Sequence, residues 1–255
     1  MPGHPAEPTP PKYENTPPPL TLITGGTAGV GLALARQLAA RGEPVLVCGR
    51  DRDRVATADA LPGIEAVRCD LTSEPEIHAL LAHVRTRGGL RMLVNNAAVQ
   101  FDHLLHCDEP ASLLRDADTE IATNLTAPVK LTALALGLMA HGGVLVNLTS
   151  ALALTPKSSA PVYCATKAAL RSYTTAVRYQ LAGRGIRVVE AVLPLVDTAM
   201  TAGRGTGKIS PDEAATALLR GLDRGTPVVL VGKARTLAAL HRWAPALAAR
   251  LLRDG

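Results

Sequence analysis

Aromatic side chains are nearly missing from this chain: one phenylalanine, one tryptophan and four tyrosines make up 2% of its 255 residues. A surface that stacks nucleobases needs several such rings, so the scarcity argues against single-stranded nucleic acid as a partner. The charge balance argues the same way. The 27 Lys and Arg exceed the 22 Asp and Glu, giving a formal charge of +5, but the signs alternate along the chain, as in GRDRDRV from Gly49 to Val55, and no basic stripe emerges. Long apolar runs are also lacking. None approaches the roughly 18 residues that a membrane crossing demands, and the N-terminus shows no charged-then-apolar secretory pattern. Cysteines are few and scattered. Cys48, Cys69, Cys107 and Cys164 form no C-x-x-C pair, and a chain with 47% hydrophobic content buries enough core to need no disulfide frame. These absences leave a soluble cytoplasmic protein with reduced thiols, binding neither nucleic acid nor membrane.

Proline, by contrast, crowds one end. Residues 1–19 are so dense in it that they suit neither a helix nor a central strand, and they are read as a flexible tail. From Leu20 the texture changes to short β-branched runs alternating with alanine–leucine stretches of helical period. Strands are expected near 20–24, at PVLVCGR, IEAVRCD, LRMLVNNAA, GGVLVNLTS, IRVVEAVLP and PVVLVG. Helices are expected after the first strand and near 51–60, 74–87, 115–140, from Pro161, 211–223 and 235–252. Seven apolar strands separated by helices imply one α/β domain over 20–255, a doubly wound parallel sheet covered on both faces. Ligands collect at the carboxyl ends of such strands, where the strand order reverses.

The glycine turn after strand one, NNAA after strand four, Ser150 after strand five and LPLVDT after strand six fall at those ends, and a residue pair on one helix stands beside them. TGGTAGVG places Gly25, Gly29 and Gly31 between the first strand and its helix, where a close backbone and a helix N-terminus favour a pyrophosphate. Tyr163 and Lys167 lie four apart in PVYCATKAAL, on one face of a helix opened by Pro161. An ammonium beside a phenol favours the phenolate, so Lys167 is expected to draw the Tyr163 pKa down from about 10 toward the working pH of an enzyme. Ser150 ends GGVLVNLTS, and if that strand neighbours the helix its hydroxyl lands near Tyr163.

Together with Asp70 after strand three, NNAA at Asn95 to Ala98 and Asn124 in the long helix, these residues make the sequence resemble the short form of the short-chain dehydrogenase/reductase family from Leu20 onward. The resemblance implies a Rossmann fold and a nicotinamide-dependent oxidoreductase that moves hydride between its cofactor and a carbonyl or secondary alcohol. It assigns Asn124, Ser150, Tyr163 and Lys167 to catalysis, with Asn124 holding a water that links Lys167 to solvent and Asn95 bracing the sheet. Cofactor contacts carry over to Gly25, Thr27, Ala28, Gly29, Val30 and Gly31 in the turn, to Asp70 and Leu71, to Asn96 and Ala97, and to Tyr163, Lys167, Val196 and Thr198. Asp70 also suits a cap of the turn DLTSE, and Asn124 a polar place on an exposed helix face. Where the family often ends strand six with Pro-Gly, this chain has Leu193 and Pro194, which stiffens that turn and removes an N–H.

The position where an NAD-dependent member carries an acid is Gly49, and Arg50 follows it, so NADP(H) is the expected cofactor and NAD(H) a possible one. In the competing reading Asp51 swings back to the ribose. Alternative activities on the same residues are imine reduction, dehydration and catalytically silent dinucleotide sensing. Asp102, His103, His106 and Cys107 cluster after strand four, and with no partner pair at matching spacing they are read as lining the substrate entrance, with no metal. A homodimer or homotetramer is expected through the long helix and the Tyr163 helix, with Leu237, Leu240, Trp243, Leu247 and Leu251 offering a second apolar stripe.

Overall fold

The computed structural model describes residues 17–102 and 110–253; the rest of the proline-rich stretch, together with His103, His106 and Cys107, lies outside the described residues. The chain alternates strand and helix as its periodicity dictates: β1 (Leu20–Thr24), α1 (Gly29–Ala39), β2 (Val45–Gly49), α2 (Arg52–Asp59), β3 (Ile64–Arg68), α3 (Glu74–Thr86) and β4 (Leu90–Asn95). It continues through α4 (Pro110–Ile121), α5 (Ala127–Ala135), β5 (Met139–Ser150), α6 (Pro161–Leu181), β6 (Arg187–Leu193), α7 (Pro211–Asp223), β7 (Val228–Leu230), α8 (Ala234–Trp243) and α9 (Pro245–Leu252). The seven strands form one parallel sheet in the order β3-β2-β1-β4-β5-β6-β7. The order reverses between β1 and β4, which opens a crevice at their carboxyl ends.

Successive strand residues face opposite ways, and this sequence uses the alternation to sort its side chains. Leu22 pairs with Leu46 and Leu93, and Leu93 with Leu145, so these four leucines form one buried row under α3, α5 and α6. Their neighbours Ile23, Val47, Val94 and Val146 form the matching row on the other face, under α1 and α7. Buried side-chain amides in the sheet donate to one another and to the helices, while Asn95 Oδ1 has no hydrogen-bond partner among the described residues. Asn95 Nδ2 donates to Asn147 Oδ1 at 2.8 Å and to Thr132 Oγ1 at 3.2 Å, and Asn147 Nδ2 donates to Thr174 Oγ1 at 2.8 Å. Asn95 thus braces β4 against β5 and two helices.

Three elements differ from the sequence expectation. The long helix is a continuous helical run, Pro110–Leu138, broken in register by a π turn at Ala122–Thr126, and β5 begins at Met139. The first residues of β5 pair with Leu90 across a register shift relieved by Gly142 at φ 79°, an irregularity that alanine–leucine composition hides. By length and a mean hydropathy of 1.3 over an 18-residue window this run is apolar enough to cross a membrane, which the apolar-run criterion did not find; here Ala127, Leu131 and Ala135 are buried, while Leu114, Ile121 and Leu134 stay exposed. The last helix is two. Pro245 disfavours helical backbone at Ala244, which sits at φ −144°, ψ 65°, so the stripe of Leu237, Leu240, Trp243, Leu247 and Leu251 is not one helix face.

Candidate active site

A cavity of about 740 Å³ opens at the carboxyl ends of β1, β4, β5 and β6. Its floor at β1 is the glycine turn. Gly25 (φ 61°) and Gly29 (φ 54°) take the left-handed conformation that other residues resist, and a Cβ on Gly25 would stand 2.8 Å from Ala97 Cα. The N-cap of α1 is Ala28, which supplies no side-chain cap, so the first amides of the helix are open to an anion. Thr27, Ala28, Val30, Asn96 and Ala97 complete this wall. Gly31, expected to touch the cofactor, does not line the cavity. A Cβ there would meet Asn96 Nδ2 at 2.5 Å and Gly25 O at 2.7 Å, so its part is to let α1 press onto the turn. Asn96 Nδ2 in turn donates to Thr24 O at 2.7 Å and Gly25 O at 3.1 Å, which fixes the turn against β4. The residues present fit a bound dinucleotide: a close-backbone cradle with free helix amides suits a pyrophosphate.

At the β2 end the wall holds Arg50, Asp51, Arg54, Asp70 and Leu71. Asp51 caps α2, its Oδ1 accepting from Asp53 N at 3.1 Å and Arg54 N at 3.0 Å, which commits that carboxylate to the helix. A side chain at Gly49 would run into Thr27 Oγ1 at 2.6 Å. Asp70 accepts from Thr72 N at 2.9 Å and Thr72 Oγ1 at 2.8 Å, and the Thr72 amide is the chief reason its carboxyl is held below the usual range. Its oxygen therefore caps the DLTSE turn while it lines the cavity. Beside it lie the Cys48 and Cys69 thiols, whose mutual influence raises the first and lowers the second.

The reacting end is built by β5 and α6. Ser150 closes β5 and caps the short turn after it, its Oγ accepting from Leu152 N at 3.1 Å. Pro161 opens α6, and one helical turn places Tyr163 and Lys167 on the face toward β5, both buried. Lys167 Nζ donates to Leu148 O at 3.0 Å and lies 5.8 Å from the centre of the Tyr163 ring. The expected depression of the phenol does not hold. Burial pushes the Tyr163 pKa up to about 12, with the Ser150 hydrogen bond and the Arg204 charge pulling the other way, while burial brings Lys167 down to about 8. At neutral pH the proton sits on the tyrosine.

Asn124 lies in the π turn, fully buried and outside the cavity wall. Its Oδ1 accepts from Val99 N at 2.8 Å, and its Nδ2 donates to Val99 O at 2.8 Å and Thr166 Oγ1 at 3.3 Å. The side chain thus clamps the segment after β4 to α6. Val196 and Thr198 line the cavity after β6, as does Pro194. Among residues the motifs did not single out, Phe101, Leu152, Lys157, Met200 and Arg204 line the reacting half; each comes from a loop whose place only the fold sets.

A glycine cradle at the strand-order reversal, facing the same cavity as a serine, a tyrosine and a lysine, defines a dinucleotide-binding oxidoreductase. The family model for short chain dehydrogenases matches residues 19–208. The uncharacterized oxidoreductase DltE of Bacillus subtilis is 38% identical over 216 residues, 80% of this chain and 84% of that relative. A short-chain dehydrogenase from Burkholderia cenocepacia, solved in complex with NADP, superposes with a TM-score of 0.80 at 26% identity over 93% of this chain and 99% of its own. One from Sphingobium yanoikuyae, in complex with NADPH, gives 0.75 at 26% identity over 91% and 94%. The chain belongs to the short-chain dehydrogenase family.

Proposed function

We propose that the protein is an NADP(H)-dependent reductase of ketones or aldehydes, working as the alcohol dehydrogenase in reverse. The observation that carries this reading is a buried tyrosine that keeps its proton, beside a serine hydroxyl and above a buried lysine, on the wall of a dinucleotide-sized cavity. In reduction Tyr163 donates its proton to the carbonyl oxygen as charge grows there, and Ser150 hydrogen-bonds the same oxygen. Lys167, held by Leu148 O, keeps a positive charge beneath the phenol and offsets the phenolate that proton loss creates. Asn124 is a positioning residue, fixing Val99 against α6. A bound NADP(H) supplies the hydride. Thr27, Ala28, Gly29 and Val30 would hold its pyrophosphate, Asp70 and Leu71 its adenine, and Val196 and Thr198 its nicotinamide. The test is NADPH oxidation against a panel of aldehydes, ketones and imines; oxidation with imines alone would replace this reading with imine reduction.

NADP(H) is favoured over NAD(H) because Arg50 and Arg54 stand in the cavity wall while the nearest acid, Asp51, is engaged at the start of α2. The NADP and NADPH complexes of the two structural relatives support the same choice. Arg50 is exposed, so its contact with a 2′-phosphate sits at the weaker end of charge-assisted pairs. Arg50→Ala is expected to lower kcat/KM for NADPH about tenfold and leave the NADH value nearly unchanged. An unchanged cofactor ratio would mean that the ribose pocket is built from other residues.

We further place the protein in the cytoplasm, where Cys48, Cys69 and Cys164 stay reduced, a setting that cell fractionation checks. A homodimer or homotetramer is supported by Leu114, Ile121 and Leu134, large apolar side chains left exposed along α4 and α5. Light scattering should report a multiple of 26.6 kDa at micromolar concentration. A monomer would refute it.

A further inference from the structure

The reacting half of the cavity carries charge of one sign. Among the described residues its wall includes the cations Lys157 and Arg204, and the only carboxylates lining the cavity, Asp51 and Asp70, sit at the far β2 end. Arg204 is the more informative of the two. Its Nη2 donates to Gln100 O at 3.4 Å and pairs with Asp102 Oδ2 at 3.3 Å. Its Nη1 is buried and has no hydrogen-bond partner. A guanidinium donates only, so this nitrogen needs an acceptor, leaving it bare costs about 1–3 kcal/mol, and the residue that carries it lines the cavity.

The loop that holds Arg204 is built to aim it. Gly203 (φ 73°) and Gly205 (φ 54°) flank it in left-handed conformations, and a Cβ on Gly205 would strike Leu195 Cδ2 at 2.7 Å. Below the turn, Arg204 N donates to Thr201 O at 3.0 Å, and Lys208 Nζ bonds Thr201 O at 2.7 Å and Asp197 Oδ1 at 3.2 Å. Asp197 N donates to Ile209 O at 2.8 Å and Ile209 N to Leu195 O at 3.2 Å, closing the loop at its base. Arg204 and the Tyr163 phenol line the same cavity. Glu120, the buried carboxylate nearest this region, is outside the cavity wall and accepts from Phe101 N at 2.7 Å.

We propose that Arg204 binds a carboxylate on the substrate, so that the enzyme acts on short oxo acids and their hydroxy-acid counterparts rather than on neutral ketones. The unpaired Nη1 matches one carboxylate oxygen, and the planar fork of arginine suits that group better than a single neutral acceptor. Lys157 adds attraction from the same wall. This assignment deepens the carbonyl-reductase reading and rests on it for the reaction, although the recognition itself is measurable without turnover.

The test is equilibrium binding to the protein saturated with NADPH, a dead-end pairing in which no hydride can move, by calorimetry, of 2-hydroxypentanoate and 3-hydroxypentanoate, each against its methyl ester. At least one acid is expected to bind about tenfold or more tightly than its own ester. Arg204→Met should bring that acid down to the level of the ester, and Arg204→Lys should restore part of the difference. No acid preference in the wild type would overturn the proposal, as would a preference that survives in Arg204→Met. If Arg204 instead holds a cofactor phosphate, Arg204→Met will raise the Kd for NADPH and leave the acid-to-ester ratio as it was, which also overturns it. A protein that prefers the acid through Arg204 yet oxidises no NADPH with the matching oxo acid would uphold the carboxylate site and contradict the reductase reading.

Discussion

Replacing Tyr163 with phenylalanine is expected to cut kcat for carbonyl reduction by about 10²–10⁴-fold while the Kd for NADPH stays near its wild-type value. The substitution removes one hydroxyl from a buried ring and leaves the packing of α6 on β5 in place. What is lost is the phenolic proton beside Ser150: Tyr163 titrates at about 12 and keeps it at neutral pH, and Ser150 alone offers a hydrogen bond without a compensating acid. Stopped-flow oxidation of NADPH measures the rate, and fluorescence titration the Kd. Retention of more than about a tenth of the wild-type rate would mean that water or another side chain delivers the proton, and Tyr163 would lose its place as donor.

The second large effect is on pH dependence. Lys167 titrates at about 8 because burial disfavours its charge. The reducing step needs the tyrosine protonated and the lysine charged. The first condition holds below about pH 12, the second below about pH 8. The kcat/KM for reduction is therefore expected to be level on the acidic side of pH 8 and to fall about tenfold per unit above it. Unfolding does not mimic this fall. Lys167 titrates lower in the folded protein than in the unfolded chain, where it holds its proton up to about pH 10.5, so between those values the unfolded chain binds more protons and stability rises with pH. The Tyr163 shift has the opposite sign, but its destabilising window opens only above about pH 10. Lys167→Met should lower the rate at pH 7 by about 10²-fold or more and abolish the break near pH 8. A wild-type rate that climbs from pH 7 to 9, or a Lys167→Met enzyme that keeps the break, would show that another group governs the profile.

The parts of the site that backbone constraint imposes were legible in the sequence. Gly25 and Gly29 are glycines because the turn requires positive φ, and Tyr163 and Lys167 share a face because α6 makes one turn between them. Asp51 caps α2 as an aspartate just before a helical run commonly does, which leaves the ribose reading of that residue without its carboxylate. What stayed hidden depends on distance in space. Arg204 and Gln100 lie far apart in the chain and meet only when the loops after β4 and β6 fold over one cavity, and no periodicity marks either residue. The π turn at Ala122–Thr126 leaves no signature in the apolar pattern, so the family resemblance marked Asn124 but the contact of its side chain with Val99 was not readable. The pKa expectation failed for a related reason. Four-residue spacing predicts that two groups are neighbours, but the depth at which they are buried decides which effect wins. The break at Ala244 was in plain view at Pro245, and a leucine period carried across a proline concealed it.

Hydride transfer from NADPH to a carbonyl carbon is tested most directly with cofactor carrying deuterium at the transferable position of the nicotinamide ring, incubated with a short oxo acid and with a neutral ketone. One deuterium per molecule of product, on the carbon that bears the new hydroxyl, is the predicted result, with incorporation lost in Tyr163→Phe. Unlabelled alcohol, or a cofactor that stays reduced in the presence of every carbonyl compound tried, would contradict it.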